Sequence, residues 1–165
     1  MSVPTDKLKE LRQQTGAGIM ACRNAYVEAG ENMEKAIEIL KENSLNIVEK
    51  KKDRSTSQGI IDTYVHTGGR IAAMVELNCE TDFVARTDEF QKLAHNLAMQ
   101  VAAMPPQFVN AEDAPADADP KEVCLMEMPY IRDLSVPIKD VVNEIIAKVG
   151  ENIRVSRFAR FELGE

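Results

Sequence analysis

No run of apolar residues in this 165-residue sequence approaches the length needed to cross a bilayer, so no membrane span is expected. The opening Met1-Ser2-Val3-Pro4-Thr5-Asp6 has neither a basic stretch nor an apolar one, which argues against export. Cysteine is scarce. Cys22, Cys79 and Cys124 are an odd number, lie far apart and form no C-x-x-C pair. A disulfide framework or zinc site is therefore not expected, and buried free thiols in a reducing, cytoplasmic setting are. The only histidines, His66 and His95, belong to no triad and no metal-binding spacing such as H-E-x-x-H. There is no G-x-x-x-x-G-K-[ST], so nucleotide phosphates are not held through a P-loop, and Gly68-Gly69 is too short a signal to replace one. Enzymatic chemistry, a bound cofactor and a metal site all lack support.

What is present is the composition of a folded protein, 44% apolar and 28% charged. The net charge of −7 is uneven: residues 1–54 sum to +1, residues 55–104 to −3 and residues 105–165 to −5. Such a chain repels phosphate backbones at long range, so direct nucleic-acid binding is disfavoured.

Residues 5–13 read as a short helix, with Thr5 able to cap it and Leu8 and Leu11 on one face. Thr15-Gly16-Ala17-Gly18 breaks the pattern, and a second helix spans residues 19–29 before Gly30. A third covers residues 33–42, where Met33, Ala36, Ile37 and Leu40 recur at helical spacing, with a continuation over 45–52. Ser55-Thr56-Ser57-Gln58-Gly59 reads as a linker. Beyond it the period changes to two: Ile61, Thr63 and Val65 alternate with Asp62, Tyr64 and His66. Thr67-Gly68-Gly69-Arg70 is a hairpin turn by composition, and residues 71–79 form the returning strand. An amphipathic helix over 88–103 ends at Pro105-Pro106, and the acidic, proline-punctuated residues 110–122 read as a loop. Pro137 starts a last helix that Gly150 stops. A final strand follows, with Ile153, Val155, Ala159, Phe161 and Leu163 at its odd positions. The predicted class is α+β: an N-terminal three-helix module of the ubiquitin-associated type over residues 1–54, then a small three-stranded antiparallel sheet packed with helices over 55–165.

Two segments carry a resemblance to a known family. Lys9-Glu10-Leu11-Arg12-Gln13-Gln14-Thr15-Gly16-Ala17-Gly18-Ile19-Met20 resembles the opening signature of the elongation factor Ts family, K-x-L-R-x-x-T-G-A-G-x-M. Glu76-Leu77-Asn78-Cys79-Glu80-Thr81-Asp82-Phe83-Val84-Ala85-Arg86 resembles the motif of that family's core, and residues 150–158 add a third match. The resemblance implies a guanine-nucleotide exchange factor for elongation factor Tu, acting by contact. It implies that Thr81, Asp82, Phe83 and Val84 disturb the GTPase's Mg²⁺ and phosphate site, and that Arg12, Ile19 and Met20 dock on a helix of its GTPase domain. The sequence departs from longer members, which carry a helical insertion where residues 110–122 stand here, and often a second half-core and a coiled coil. Short relatives compensate by pairing two chains, so a homodimer through residues 55–165 is a further expectation.

Other readings of the same residues compete with these. Taken alone, Phe83 would cover the small core and Asp82 would cap a turn or the next helix. One of Ile19 and Met20 would pack inside the three-helix unit. Residues 1–50 could serve as a ubiquitin-like or helix-binding adaptor. Arg154, Arg157 and Arg160 with Phe158 and Phe161 could mark a ribosome-associated RNA-binding strand. An alternating strand with one charged face is the preferred account of that last group.

Overall fold

The structure, a computed structural model, describes residues 3–165. Helix α1 (Thr5–Thr15) turns Leu8 and Leu11 inward. Its N-cap is Pro4, whose carbonyl accepts from the N–H groups of Lys7 and Leu8; Thr5 is the first helical residue, not the expected cap. Helix α2 (Ile19–Glu28) contributes Cys22, Ala25 and Tyr26 to the core. Helix α3 (Met33–Lys51) is one continuous rod of 19 residues. It runs through the polar stretch near Ser44, whose hydroxyl donates back to the Leu40 carbonyl within the helix. These three helices enclose a core of Leu8, Leu11, Cys22, Ala25, Tyr26, Ala36 and Leu40, giving the ubiquitin-associated type of unit.

The second core forms around an antiparallel sheet of β1 (Gln58–Val65), β2 (Ile71–Cys79) and β5 (Ile153–Glu162), in the order β1-β2-β5. After β2 come the single-turn helix α4 (Asp82–Ala85) and the long helix α5 (Asp88–Ala103). Thr87 caps α5 by accepting from the Phe90 N–H, and Phe90, Leu93, Ala94, Leu97, Ala98 and Val101 are buried along one face.

Residues 110–122 are not the structureless loop expected. Ala111–Asp113 is a 3-10 turn whose ends Asn110 and Asp113 cap each other, and α6 (Pro120–Val123) starts on a capping Asp119 with proline in its first turn. A small hairpin of β3 (Pro129–Tyr130) and β4 (Asp133–Pro137) follows, too short to show a period. It is pinned by buried Gln100, whose amide donates to the Pro129 carbonyl at 3.0 Å and accepts from the Ile131 N–H at 2.8 Å. Helix α7 (Ile138–Val149) closes on Gly150, at φ 75° in the left-handed region where glycine carries no side-chain penalty. Val48 of α3 packs against this second core.

The sheet has a covered face and a bare one. Ala73, Val75, Leu77 and Cys79 of β2 point into the core with Ile60 and Tyr64 of β1 and Ile153, Val155 and Phe158 of β5. On the other side, cross-strand rows run Val65–Ala72–Phe161, Thr63–Met74–Ala159 and Ile61–Glu76–Arg157. Residues Ile61, Thr63 and Val65 thus share the bare face. The last strand corrects the sequence reading. Its register passes from Glu76↔Arg157 to Leu77↔Val155, leaving Ser156 as an extra, unpaired residue. A bulge of this kind turns the rest of the strand over. Ile153 and Val155 therefore face the core, while Ala159 and Phe161 face outward.

Candidate partner-binding site

Strand β2 runs directly into the turn that holds Thr81, Asp82, Phe83 and Val84. Thr81 is the N-cap of α4: its Oγ1 accepts from the Val84 N–H at 3.4 Å. Capping therefore falls to Thr81, and Asp82 is instead a first-turn residue of α4 in an exposed ion pair with Arg86 at 2.8 Å. One helical turn divides these side chains by direction. Val84 and Ala85 enter the core, whereas Phe83 projects outward and is 78% exposed. The expectation that Phe83 covers its own core is overturned. Val84 anchors the turn from inside.

The turn is braced by the chain leading into β5, the strand beside β2. The Thr81 N–H donates to Glu151 Oε2 at 3.0 Å and the Thr81 hydroxyl to Glu151 Oε1 at 2.7 Å. In return, the Asn152 N–H donates to Glu80 Oε1 at 2.7 Å. The β2–β5 ladder ends at Cys79↔Ile153, and this crossed pair of carboxylates satisfies backbone donors just beyond its last rung. The thiol of Cys79 donates to the Thr81 carbonyl at 3.1 Å. Burial, followed by the nearby Glu151 carboxylate, raises the Cys79 pKa to about 11. The thiol therefore stays protonated and acts as a donor. Neither Glu151 nor Glu80 is marked by type or period in the sequence; the only sign was that Glu80 lies within the core motif over residues 76–86 and Glu151 within the match over residues 150–158.

The second group of predicted residues sits on the three-helix unit. Arg12 is exposed near the end of α1, and Ile19 and Met20 open α2 at 46% and 58% exposure. The expectation that one of those two packs inside fails, because Cys22, Ala25 and Tyr26 already fill the inward face of α2. Arg12, Ile19 and Met20 lie on the surface of the three-helix unit, and Phe83 lies on the turn after β2.

The arginine-rich last strand does not assemble a stacking surface. Arg157 donates to Glu76 at 2.7 Å, a bond that also holds the Glu76 carboxyl below its ordinary range. Arg160 donates to Glu162 and to the Ala102 carbonyl. Phe158 and Phe161 fall on opposite faces. Among the described residues, no group of three or more His, Cys, Asp or Glu is placed to hold a metal ion, and no helix is long and apolar enough to cross a membrane.

Comparison with known proteins is consistent in direction. The family model described as Elongation factor TS matches residues 5–127. The chain is 49% identical to elongation factor Ts of Thermotoga petrophila, over all of this chain and 98% of the relative. It is 48% identical to that of Thermotoga maritima over the same shares, and 43% identical to that of Carboxydothermus hydrogenoformans over 99% of this chain and 90% of the relative. The first of these alignments runs over 195 positions against 165 residues here, so that relative carries roughly thirty residues without a counterpart. With its opening segment, its core motif and its full length all accounted for in this way, the chain belongs to the elongation factor Ts family and is a translation elongation factor.

Proposed function

We propose that the protein is a guanine-nucleotide exchange factor that binds elongation factor Tu in its GDP-bound and nucleotide-free forms and speeds GDP release by contact alone. The observation that carries this reading is Phe83, held 78% exposed on a turn that is capped, anchored and braced. A large aromatic left in water forgoes about 1.5–3 kcal/mol of burial, which becomes available when a partner covers it. A rigid ring brings contact area at small entropic cost. Pushed between helices of the GTPase near its bound Mg²⁺, Phe83 displaces elements that hold the ion, and Mg²⁺ tolerates little departure from octahedral geometry. Asp82, half-exposed beside it, competes for donors that hold those same elements in place. Arg12, Ile19 and Met20 supply a second grip on the GTPase domain. Accelerating release by about 10⁴ requires roughly 5.5 kcal/mol of preference for the opened state, within reach of a few anchors of about 2 kcal/mol. No proton transfer enters, so the protein is not an enzyme in the strict sense. Translation takes place in the cytoplasm, and that is where the reading places it.

The test is release of labelled GDP from elongation factor Tu at stoichiometric protein. Wild-type protein should accelerate it. Phe83→Ala should slow exchange about thirtyfold, the equivalent of a 2 kcal/mol anchor, while moving folding stability by no more than about 0.5 kcal/mol. Unchanged release with wild-type protein overturns the proposal.

A second copy of the chain is the proposed partner of the bare sheet face. Val65, Ala72, Phe161, Thr63, Met74 and Ala159 form two rows without a charged side chain, so two copies can meet there despite a net charge of −7 each. Sheets packed face to face in this way form a sandwich, and a two-fold axis needs only one self-complementary patch.

A further inference from the structure

We infer that Glu151 and Asn152, at the corner between α7 and β5, are positioning residues for exchange: Glu151 sets the turn that presents Phe83, and Asn152 ties that turn to the chain arriving from α3. This inference rests on the exchange reading above and adds to it how the two contact segments are held relative to each other.

Glu151 has both carboxylate oxygens on one residue, taking the Thr81 N–H and the Thr81 hydroxyl. A hydroxyl committed to Glu151 as donor keeps its lone pairs for the Val84 N–H, so one carboxylate fixes both the start of α4 and the direction in which Phe83 leaves it. Asn152 is buried and spends its donors on the other segment. Its Nδ2 donates to the Lys52 carbonyl at 3.1 Å and to the Arg54 carbonyl at 2.9 Å, while its backbone N–H holds Glu80. Glu80 in turn reaches Arg54, with Nη1 3.5 Å from Oε2. Lys52 caps α3, the helix that carries the Arg12, Ile19 and Met20 unit. Residues far apart in sequence, 52 and 54, 80 and 81, 151 and 152, are thereby joined in one hydrogen-bonded web. The β2–β5 ladder has already ended at Cys79↔Ile153, so side chains at this corner take over the work of fixing the backbone. Gly150, in the left-handed conformation, provides the sharp exit from α7 that brings both residues to it.

The experiment is a double-mutant cycle on the full chain, reading the GDP release rate from elongation factor Tu at saturating protein, with thermal melting followed in parallel. Glu151→Ala alone should slow saturated release about tenfold, yet in a Phe83→Ala background it should cost less than about twofold, because the two act through one contact. An equal loss in both backgrounds, or no loss in either, overturns the role given to Glu151. Should Glu151→Ala melt below the assay temperature, Glu151→Gln, which keeps one acceptor, replaces the other by a donor and leaves the Thr81 cap of α4 in place, is used in the same cycle. Asn152→Asp sets a carboxylate against two carbonyls; it should raise the half-saturating protein concentration about tenfold and leave saturated release within about twofold. An unchanged half-saturation overturns the tie to α3. Failure of the exchange reading looks different: wild-type protein would then not accelerate release at all.

Discussion

Phe83 and Cys79 lie four residues apart and illustrate opposite uses of an apolar side chain. Phe83 is kept out of the core by a turn that gives its inward positions to Val84 and Ala85. Cys79 is fully buried, and its thiol is a donor to the Thr81 carbonyl. Burial raises the Cys79 pKa from 9.0 to about 11, so the folded chain holds this proton more tightly than the unfolded chain does. The stabilisation is complete below about pH 9 and is lost as pH rises towards about 11. In denaturant titrations, the wild-type midpoint should therefore fall more steeply over that window than the midpoint of Cys79→Ala. Parallel slopes would show that the thiol carries no such linkage. The other two thiols, Cys22 and Cys124, are likewise buried and raised by burial. At pH 8 a thiol reagent should label the native protein slowly, and all three cysteines quickly once it is unfolded.

Strand β1 begins with a close backbone approach. Gly59 has φ 151°, and a Cβ built there would stand 2.1 Å from the Leu77 carbonyl oxygen. Gly59→Ala should therefore destabilise the fold by about 2 kcal/mol or more, read from thermal or urea unfolding. At this scale the helices were the legible part. The spacing of Phe90, Leu93, Leu97 and Val101 predicts α5 at its observed bounds, and Pro137 and Gly150 bracket α7. What escaped the sequence was set by contacts distant in the chain. The extra residue Ser156 is visible only once β5 is laid against β2, and without it Phe161 reads as a core residue. The β3–β4 hairpin depends on Gln100, about thirty residues earlier, and carries no period of its own. The turn at Thr81 was legible as a motif, but its brace at Glu151 was not, since a lone glutamate beside a glycine carries no pattern.

At the scale of the whole molecule, the described residues form two hydrophobic cores and leave one sheet face with none of them over it. Phe161 is 69% exposed on that face, in a row with Val65 and Ala72. If a second copy covers it, Phe161→Glu should convert a dimer to a monomer in sedimentation equilibrium, with the GDP release rate per chain reporting whether pairing is needed for exchange. A wild-type protein that sediments as a monomer at all concentrations would rule out the pairing. The change of period after the three helices could be read from residues 5–65, and the α+β class once the strands over residues 71–79 and after Gly150 were added. The outward side of the sheet could not, because alternation tells which residues share a face without telling which face is covered.

Helix α3 runs unbroken from Met33 to Lys51, with Ala36 and Leu40 in one core and Val48 against the other. At 1.5 Å per residue, its 19 residues span about 28 Å. A rod of fixed length between two footholds behaves as a ruler. Inserting two residues would swing Ile19 and Met20 through about 200° relative to the sheet, whereas inserting seven would nearly restore their heading but shift them by about 10 Å. On the exchange reading proposed above, a partner gripped at both ends is recognised by spacing as well as by surface chemistry, and one that matches either foothold alone is held by half the grip.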